Sequence, residues 1–433
     1  MKFYFKSVFF AAALMAGFAS CSNEDGLDNP ATVDEGTPTA FSLVIGQPKT
    51  YTTDATNATT DEVKVEKIDV YIFGTDNVCQ KHIPLAANAF TDAGNVYTSK
   101  QAIKTTTGNK YIYVGVNLPD DVANAIPTQG VNVAYNIANV TELNTAGFAM
   151  FNTYKATPTT LVADPTGDGS ANKVVISVAR ILSKVMVAKN FTPGAVIGGT
   201  ISDDLEFSVG NINKKYFIYP TANNEDPNYG AVASGEWGNN FYHLFASDNA
   251  YKDVNTNFDD MKTAKAHYIM ENTSSEKLKN EHTYADIRLT FTPSEMVTYN
   301  AGDTEPIAKD PAAGTPGKHF YTVQKNGKLY YFEAEAEAND WAGADNKVVK
   351  YTDGKCYYRV FLTGSNNDYN VLRNTIYKVS IASVAGIGKG TPGLGGGQEG
   401  GGEEGGEDID TPTNMKVEVK IENWNIENQE ADL

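Results

Sequence analysis

Short segments in which apolar and polar residues alternate recur along the middle of the chain, and this period of two constrains the fold most strongly. Successive side chains of a β-strand point to opposite faces, so each segment predicts a strand with one buried face. Clusters of Pro, Gly, Asn and Asp separate the segments, as is typical of turns. The predicted strands are 65–74, 109–119, 173–188, 214–220, 284–293, 328–338, 355–364 and 374–384.

Helical patterns are few. "DDVANAIP" (120–127) and "SEKLKNEH" (275–282) are short, and no segment sustains a period of 3.6 residues. The sequence therefore predicts an all-β fold with few short helices, arranged as two antiparallel β-sandwiches. A chain of 433 residues is too long for one ordinary core. The loop 163–173 is the best boundary, which gives an N-terminal domain at 50–172 and a C-terminal domain at 173–385.

The first residues resemble an export signal rather than part of a fold. Lys2 and Lys6 give a positive start, and the apolar run at 8–19 is too short to span a membrane as a helix. The run ends in Phe-Ala-Ser-Cys, which is similar to the lipobox of bacterial lipoproteins. We predict a signal peptide at 1–21 and lipidation of Cys21; the alternative is an ordinary signal peptide that contains a Cys.

Residues 22–49 predict an acidic tether followed by a strand. In "TAFSLVIG" (39–46) the apolar residues Phe41, Leu43 and Ile45 alternate with smaller or polar residues. Lys49 is the only Lys or Arg between Cys21 and Val63. Cleavage of the Lys49–Thr50 bond by a trypsin-like protease would release this strand with the lipid anchor. The alternative is a surface lysine without a role.

The C-terminus carries a strand behind a Gly/Glu-rich segment, 386–414, which predicts a flexible linker. In residues 415–433 the apolar side chains first occupy odd positions and then change parity, which predicts a bulge at Glu422–Asn423. These apolar residues are Met415, Val417, Val419, Ile421, Trp424 and Ile426. If the strand at 39–46 leaves its sheet, it uncovers a groove that the tail of another copy can fill. We therefore expect a donor strand that stays out of its own subunit's core.

Catalytic motifs are absent from the sequence. It contains no HExxH, GxSxG or phosphate-loop pattern, and no CxxC pair. The histidines are scattered and stand beside no second ligand at metal spacing: His82, His243, His267, His282 and His319. Cys79 and Cys356 are either buried singly or paired with each other. We expect no enzymatic activity, no metal and no cofactor.

Two acidic stretches are candidate sites. "DPTGDGSAN" carries Asp164 and Asp168 but lacks the Glu that closes a calcium loop, so it predicts an ordinary acidic turn. "EAEAEAND" predicts Glu333, Glu335 and Glu337 on one face of a strand. Paired carboxylates can form a glycosidase site, but three like charges are more often a solvated face. The formal charge of −18 argues against nucleic acid and anionic membranes as partners, since both need Lys/Arg clusters.

Several blocks together resemble the type V pilins of Bacteroidales. The resemblance rests on FASCS, EKIDVYIFG, VVISVARILSKVMVA, YIMENT, YADIRLTFTP, GKCYYRVFLT, VLRNTIYKVSIASV and the tail MKVEVKIENWNIENQEADL. It implies two transthyretin-like β-sandwich domains, export as a lipoprotein to the outer membrane, proteolytic removal of the first strand, and polymerisation through the C-terminal strand. A pilin that this chain resembles is cut after Arg by an Arg-specific protease, whereas Lys49 stands at the matching position here, which leaves the identity of the protease and the exact bond open.

The resemblance implies a structural subunit of a cell-surface fimbria that supports adhesion. Its expected partners are other copies of the chain, accessory and anchor pilins, a maturation protease, and a host or bacterial surface receptor. Two alternatives stay open at this point. One is an accessory or tip pilin that binds a host or glycan ligand, and the other is a monomeric, anchored glycan-binding lipoprotein that would have no use for the tail.

Overall fold

The alternating segments form strands because each can bury its apolar side chains on one face of a sheet. The fold is known from a computed structural model, which describes residues 36–46, 59–94, 96–154, 156–229, 240–246, 250–260, 263–309, 313–363, 368–393, 409 and 415–423. Within these ranges strands dominate and helices are short. The prediction of an all-β fold with few short helices is confirmed.

The first part of the chain contains eleven strands among the described residues. They are β1 (Pro38–Gly46), β2 (Lys67–Phe73), β3 (Cys79–Ala86), β4 (Phe90–Asp92), β5 (Val96–Ser99), β6 (Ile103–Thr106), β7 (Gly108–Val116), β8 (Ala134–Asn136), β9 (Met150–Asn152), β10 (Thr159–Leu161) and β11 (Lys173–Arg180). All of them except β8 belong to one sheet, with the path β3-β2-β7-β9-β11-β1-β5-β4. β6 pairs with β1, and β10 pairs with β7.

The later strands form several smaller sheets. They are β12 (Ser183–Lys189), β13 (Ala195–Val196), β14 (Gly199–Ile201), β15 (Glu206–Gly210), β16 (Ile212–Asn213), β17 (Lys215–Phe217), β18 (Phe241–Tyr242), β19 (Lys252–Asp253), β20 (His267–Ile269), β21 (Tyr284–Pro293), β22 (Val297–Thr298), β23 (Ile307–Ala308), β24 (Phe320–Lys325), β25 (Lys328–Phe332), β26 (Val348–Tyr351), β27 (Lys355–Phe361), β28 (Thr375–Val384) and β29 (Met415–Asn423). One sheet runs β20-β12-β28-β29. A second runs β13-β14-β21-β15-β19, with β27 also paired to β21.

The helices within the described ranges are α1 (Thr60–Val63), α2 (Asp120–Gln129) and α3 (Glu335–Ala342), with short 3₁₀ turns at Ala87–Ala89, Val140–Leu143, Leu244–Ala246 and Thr352–Gly354. The helix predicted from "DDVANAIP" is present as α2. The helix predicted from "SEKLKNEH" is wrong, because residues 275–282 form turns and bends. None of the helices among the described residues has the length and apolar character needed to cross a membrane.

The segment 173–188 was predicted as one strand, and this prediction is wrong. It divides at Ile181–Leu182 into β11 and β12, which belong to different sheets. The sheet of the first half therefore extends to Arg180, past the predicted boundary at 172. Both halves contribute to one continuous hydrophobic core within the unit Thr37–Leu433, and the division into two domains stays a prediction.

Residues 294–354 form an insertion between two neighbouring strands. β21 and β27 pair directly, with Thr290 opposite Lys355, so a short hairpin loop could join them. The inserted residues instead make the sheet β23-β22-β25-β24-β26 and cover it with α3. This lobe has a small core of its own around Phe332, Trp341 and Val323.

The prediction that Glu333, Glu335 and Glu337 share one face of a strand is wrong. β25 ends at Phe332, and α3 begins at Glu335. Ala338, Trp341 and Ala342 are buried, and their spacing of three and four residues is that of a helix face. Ala and Glu are also good helix formers. The alternation of Ala with Glu was too short to distinguish a strand from the first turn of a helix.

A buried ion cluster joins the two halves of the chain. Glu62 in α1 and Lys184 in β12 are both fully buried, and their side chains form an ion pair of 2.9 Å. The Tyr268 hydroxyl donates to the same carboxylate over 2.7 Å, and Arg180 Nε donates to the Glu62 carbonyl over 2.9 Å. Burial lowers the pKa of Arg180 to about 10, so it stays charged at neutral pH. These contacts connect α1 with the point where the chain passes from β11 to β12.

Removing one partner of this cluster should be costly. We expect Lys184→Met to lower the free energy of unfolding by about 3–5 kcal/mol, because it removes the ion-pair partner of the fully buried Glu62 carboxylate. Urea denaturation followed by tryptophan fluorescence would measure this. The matched control is Lys265→Met, which removes an exposed ion pair with Asp253 and should cost less than about 1 kcal/mol. Equal losses in both variants would contradict the structural role of the cluster.

Candidate functional site

β1 is an interior strand although it lies near the N-terminus of the chain. On one side, Ser42–Gly46 pairs in parallel with Lys173–Ser177 of β11. On the other side, Pro38–Phe41 pairs antiparallel with β6, and Val44–Gly46 pairs antiparallel with β5. Removing β1 would therefore leave unpaired backbone groups on strands to both sides. We call the space that β1 occupies the β1 slot.

The inner face of β1 is completely buried. Phe41, Leu43 and Ile45 are at most 1% exposed and belong to the main core. Burial of three such side chains contributes roughly 5–9 kcal/mol at about 1.5–3 kcal/mol each. The β1 slot is thus an apolar groove with space for three alternating side chains. The removal of β1 itself stays a prediction.

A loop that precedes β11 holds β1 in place. The Asn172 side-chain amide donates to the Ala40 carbonyl over 2.9 Å and to the Thr39 hydroxyl over 3.2 Å. The Ser42 amide donates to the Asn172 carbonyl over 2.9 Å. At Gly169, where φ is +80°, a Cβ atom would lie 2.7 Å from the β1 backbone, so only glycine allows this approach. Sequence reasoning missed both residues, although the Asp-Gly-Ser sequence was a signal of a tight turn.

The acidic turn in this loop is satisfied by its own hydrogen bonds. Thr166 donates its hydroxyl to Asp164 and Asp168 over 2.8 and 2.7 Å. The Gly169 amide donates to Asp164 over 2.7 Å. Hydrogen bonds from Ser170 lower the pKa of Asp168 to about 2. The carboxylates therefore shape the turn that contacts β1, in agreement with an ordinary acidic turn.

The C-terminal tail strand, β29, occupies the edge of its own subunit's sheet. It pairs antiparallel with β28, from Met415 opposite Val384 to Asn423 opposite Thr375. Met415 is buried, and Val417 and Val419 are half-buried against the main core. The expectation that the tail stays out of its own core is therefore wrong for these residues. An alternating apolar strand adds to any apolar sheet edge within reach, and in a single chain the β28 edge is within reach.

The β29 strand and β1 differ in how firmly they are held. β29 is the last strand of its sheet and pairs on one side only, whereas β1 pairs on both sides. The outward residues Lys416, Glu418 and Lys420 are exposed. The bulge in this pair lies in β28, between Ile381 and Ser383.

Several predicted site residues lie outside the described part of the chain. These are Cys21, Lys49, Thr50, Trp424 and Ile426. Ile421 is within β29 and pairs in register with Tyr377. Lipidation and cleavage therefore stay predictions. The bulge predicted at Glu422–Asn423 is wrong, because these two residues pair in continuous register with Ile376 and Thr375 of β28.

The remaining candidate residues do not come together. Among the described residues, no three His, Cys, Asp or Glu side chains are grouped so that they could hold a metal ion. Cys79 and Cys356 are both free thiols, so they do not pair; Cys356 is buried, as one alternative predicted, whereas Cys79 is half-buried. Burial raises the pKa of Cys356 to about 11, so this thiol is protonated at neutral pH and unreactive.

The first eight residues of the predicted flexible linker are packed against the subunit, contrary to prediction. Lys389 exchanges two backbone hydrogen bonds with Tyr357 in β27, of 2.9 and 2.8 Å. The Tyr358 and Tyr351 hydroxyls donate to the Gly386 and Gly388 carbonyls. Glycine favours disorder by composition, but it also lets one backbone approach another closely. We call residues 386–393 the linker root.

The fold is similar to that of fimbrial and adhesion proteins from Bacteroidales. A fimbrilin (FimA) from Porphyromonas gingivalis W83 superposes with a TM-score of 0.51 at 15% identity, over 90% of this chain and 99% of that one. A candidate cell adhesion protein from Parabacteroides distasonis ATCC 8503 superposes with a TM-score of 0.50 at 14% identity, over 90% of this chain and 100% of that one.

The sequence itself gives a second, more particular match. Residues 349–430 match the family model of the major fimbrial subunit protein type IV, fimbrillin, C-terminal. This stretch contains β27, β28, the linker and β29, so it includes the tail strand and the edge on which that strand lies. No curated protein matches the chain in sequence. The similarity to Bacteroidales pilins that the sequence predicted is thus found again in the fold and in the C-terminal part.

The inner face of β1 should be essential for the stability of the uncut chain. We expect Leu43→Ala to lower the free energy of unfolding by about 2–5 kcal/mol, because it opens a cavity in a fully packed region. Chemical denaturation of the purified chain would measure the change. Val175→Ala, on the neighbouring strand with a side chain that is 56% exposed, is the control and should change stability by less than about 0.5 kcal/mol. A small effect of Leu43→Ala would mean that β1 contributes little.

Proposed function

We propose that this chain is a structural subunit of a cell-surface fimbria that polymerises by strand exchange and supports adhesion. Removal of β1 opens the β1 slot, and the tail strand of another copy enters it. The chain would then be exported as a lipoprotein through Cys21, cut after Lys49, and assembled as two transthyretin-like sandwich domains connected by tails. The similarity of residues 349–430 to the fimbrillin family supports this proposal.

The relation between the β1 slot and β29 carries the proposal. β1 fills the slot with Phe41, Leu43 and Ile45 at alternate positions. The tail strand offers Val417, Val419 and Ile421 with the same spacing. Side chains of the same period fit the same row of apolar sites.

Backbone pairing favours the exchanged position of the tail over its position on its own subunit. On its own subunit, β29 pairs with β28 alone. In an emptied β1 slot, a strand would pair with β11 on one side and with β5 and β6 on the other. Each additional hydrogen bond contributes about 0.5–1.5 kcal/mol, and the slot also buries its side chains more completely. The free energy of a tail therefore falls when it moves from the β28 edge of its own subunit to the β1 slot of a neighbour.

The proposed partners follow from this assembly. Each subunit binds two other copies, or accessory and anchor pilins at the ends of a filament, and each encounters a maturation protease once. A receptor on a host or bacterial surface would bind the assembled filament. An accessory or tip pilin has the same fold and tail, and it would occur once per filament rather than along its whole length.

The tail's inward face should be required for polymerisation. We expect Val419→Asp to abolish the ladder of oligomers seen on gels of unboiled filaments, because an apolar slot cannot hydrate the added carboxylate. The melting temperature of the monomer should fall only slightly, since Val419 is half-buried on an edge strand.

The matched control is Lys420→Asp, which adds a carboxylate at the next residue on the exposed face of the same strand. This variant should polymerise like the natural chain. If Val419→Asp filaments formed normally, or if both variants lost the ladder equally, the proposed function would be wrong.

Maturation should depend on one basic residue. We expect Lys49→Ala to yield a chain that keeps β1 and stays monomeric, because the β1 slot remains filled. N-terminal sequencing of the surface protein would show a start before residue 50 in the variant and at Thr50 in the natural chain. Lys49→Arg is the control, and it separates a trypsin-like protease that accepts both residues from one that accepts lysine alone. Assembled natural filaments that began at Cys21 would contradict the proposal.

A further inference from the structure

The linker root crosses from the sheet that carries the tail to the neighbouring sheet. It begins two residues after the end of β28, which pairs with β29, and Lys389 then forms an antiparallel bridge with Tyr357 of β27. Glycines make this contact close. A Cβ atom on Gly388 would lie 2.4 Å from the Tyr357 carbonyl oxygen, and one on Gly390 would lie 2.4 Å from the Lys350 carbonyl oxygen.

A buried carboxylate holds the end of the root. Asp286 in β21 is 0% exposed and accepts a hydrogen bond of 2.7 Å from the Gly393 amide and one of 3.0 Å from the Tyr251 hydroxyl. Arg359 lies opposite Asp286 in the strand register, and Arg288 lies two residues along β21. Hydrogen bonds to an ionised acceptor are among the strongest in proteins.

Burial and the neighbouring groups act in opposite directions on the pKa of this carboxylate. Burial raises the pKa of Asp286 to about 6, although the Gly393 amide, the Tyr251 hydroxyl, Arg359 and Arg288 all oppose the shift. Once the carboxylate is deprotonated, the bond from the Gly393 amide is charge-assisted.

We propose that Asp286 holds the linker root in place between the sheet of β28 and the sheet of β21 and β27, so that the tail can leave β28 without opening the subunit. Asp286 is a positioning residue: it acts on the tail through the root. Its importance for assembly rests on the strand exchange proposed above. The docking of the root is a property of the monomer, and it can be measured apart from polymerisation.

Trypsin can report on the root and on the tail separately. Lys389 is the only Lys or Arg in the linker, 386–414, and Lys416 and Lys420 lie in β29. A backbone that is paired with a neighbouring strand is protected, and cleavage follows the fraction of molecules in which that segment is open. Mass spectrometry of the fragments from the full-length monomer distinguishes cleavage at 389 from cleavage at 416 and 420.

The first arm releases the tail. In the full-length variant Val417→Asp/Val419→Asp, two carboxylates replace side chains that pack against the core, and we expect cleavage at Lys416 and Lys420 to rise about tenfold or more. Cleavage at Lys389 should stay at the level of the natural chain. If Lys389 opened together with the tail, the root would not be stationary and the proposal would be overturned.

The second arm releases the root. Asp286→Ala removes the acceptor of the Gly393 amide, and we expect cleavage at Lys389 to rise about tenfold or more. Asp286→Asn retains a side-chain oxygen at the same place and should restore most of the protection. If Asp286→Ala left Lys389 protected, or if Asp286→Asn opened it equally, the assignment to Asp286 would be overturned.

A backbone variant keeps the test independent of the stability of β21. Gly390→Ala places a methyl group against the Lys350 carbonyl and should expose Lys389 while Asp286 is intact. Gly194→Ala, where a Cβ atom meets nothing within 4 Å, is the control and should change nothing. A Gly390→Ala chain that kept Lys389 protected would contradict close docking of the root. If the natural chain failed to polymerise while Lys389 stayed protected from trypsin, that result would contradict the proposed function but not the docking of the root.

Discussion

An interior strand of a sheet has to pair its backbone on both edges, and the position of β1 makes this requirement decisive for the whole N-terminal sheet. β11 on one side and β5 and β6 on the other are held together through β1. Its three inner side chains complete the core between them. The sheet therefore depends on a strand that lies at the start of the folded unit. If that strand is removed, another strand with the same apolar pattern has to replace it to restore the pairing and the core.

The C-terminal half presents the opposite situation. β29 covers one edge of its sheet, and Val417 and Val419 on its inner face are only half-buried. The sheet that it covers has β12 and β28 in its interior and keeps its connection to the N-terminal half through Lys184 and Glu62. The linker root follows β28 and pairs with β27 at Lys389. The tail is thus held by strand pairing on one side only, through β28.

The sequence predicted the elements whose pattern is local. The strands at 39–46, 284–293 and 374–384 follow from alternation alone, as does the tail. Partners were not predictable, because the parallel pairing of β1 with β11 joins segments far apart in the chain. The helix α3 was missed because alternating Ala and Glu also suit a first helical turn, although Ala338, Trp341 and Ala342 carried the helical spacing. The linker root was missed because composition reports backbone freedom and not the close contacts that glycine also allows. Asp286 is invisible in the sequence, since one Asp in a strand gives no sign that a distant amide will reach it.

The pairing of β1 with β11 also has a consequence for how the chain folds. The hydrogen bond between Asn172 and Thr39 closes a sequence separation of 133 residues, and contacts of such high order form slowly because the loop must be ordered first. During synthesis β1 emerges from the ribosome long before β11, so for that interval it has no parallel strand to pair with. An unpaired apolar strand is prone to aggregation in that interval. A chain built in this way benefits from keeping its N-terminus held apart from other copies until the last strand of the sheet has been made.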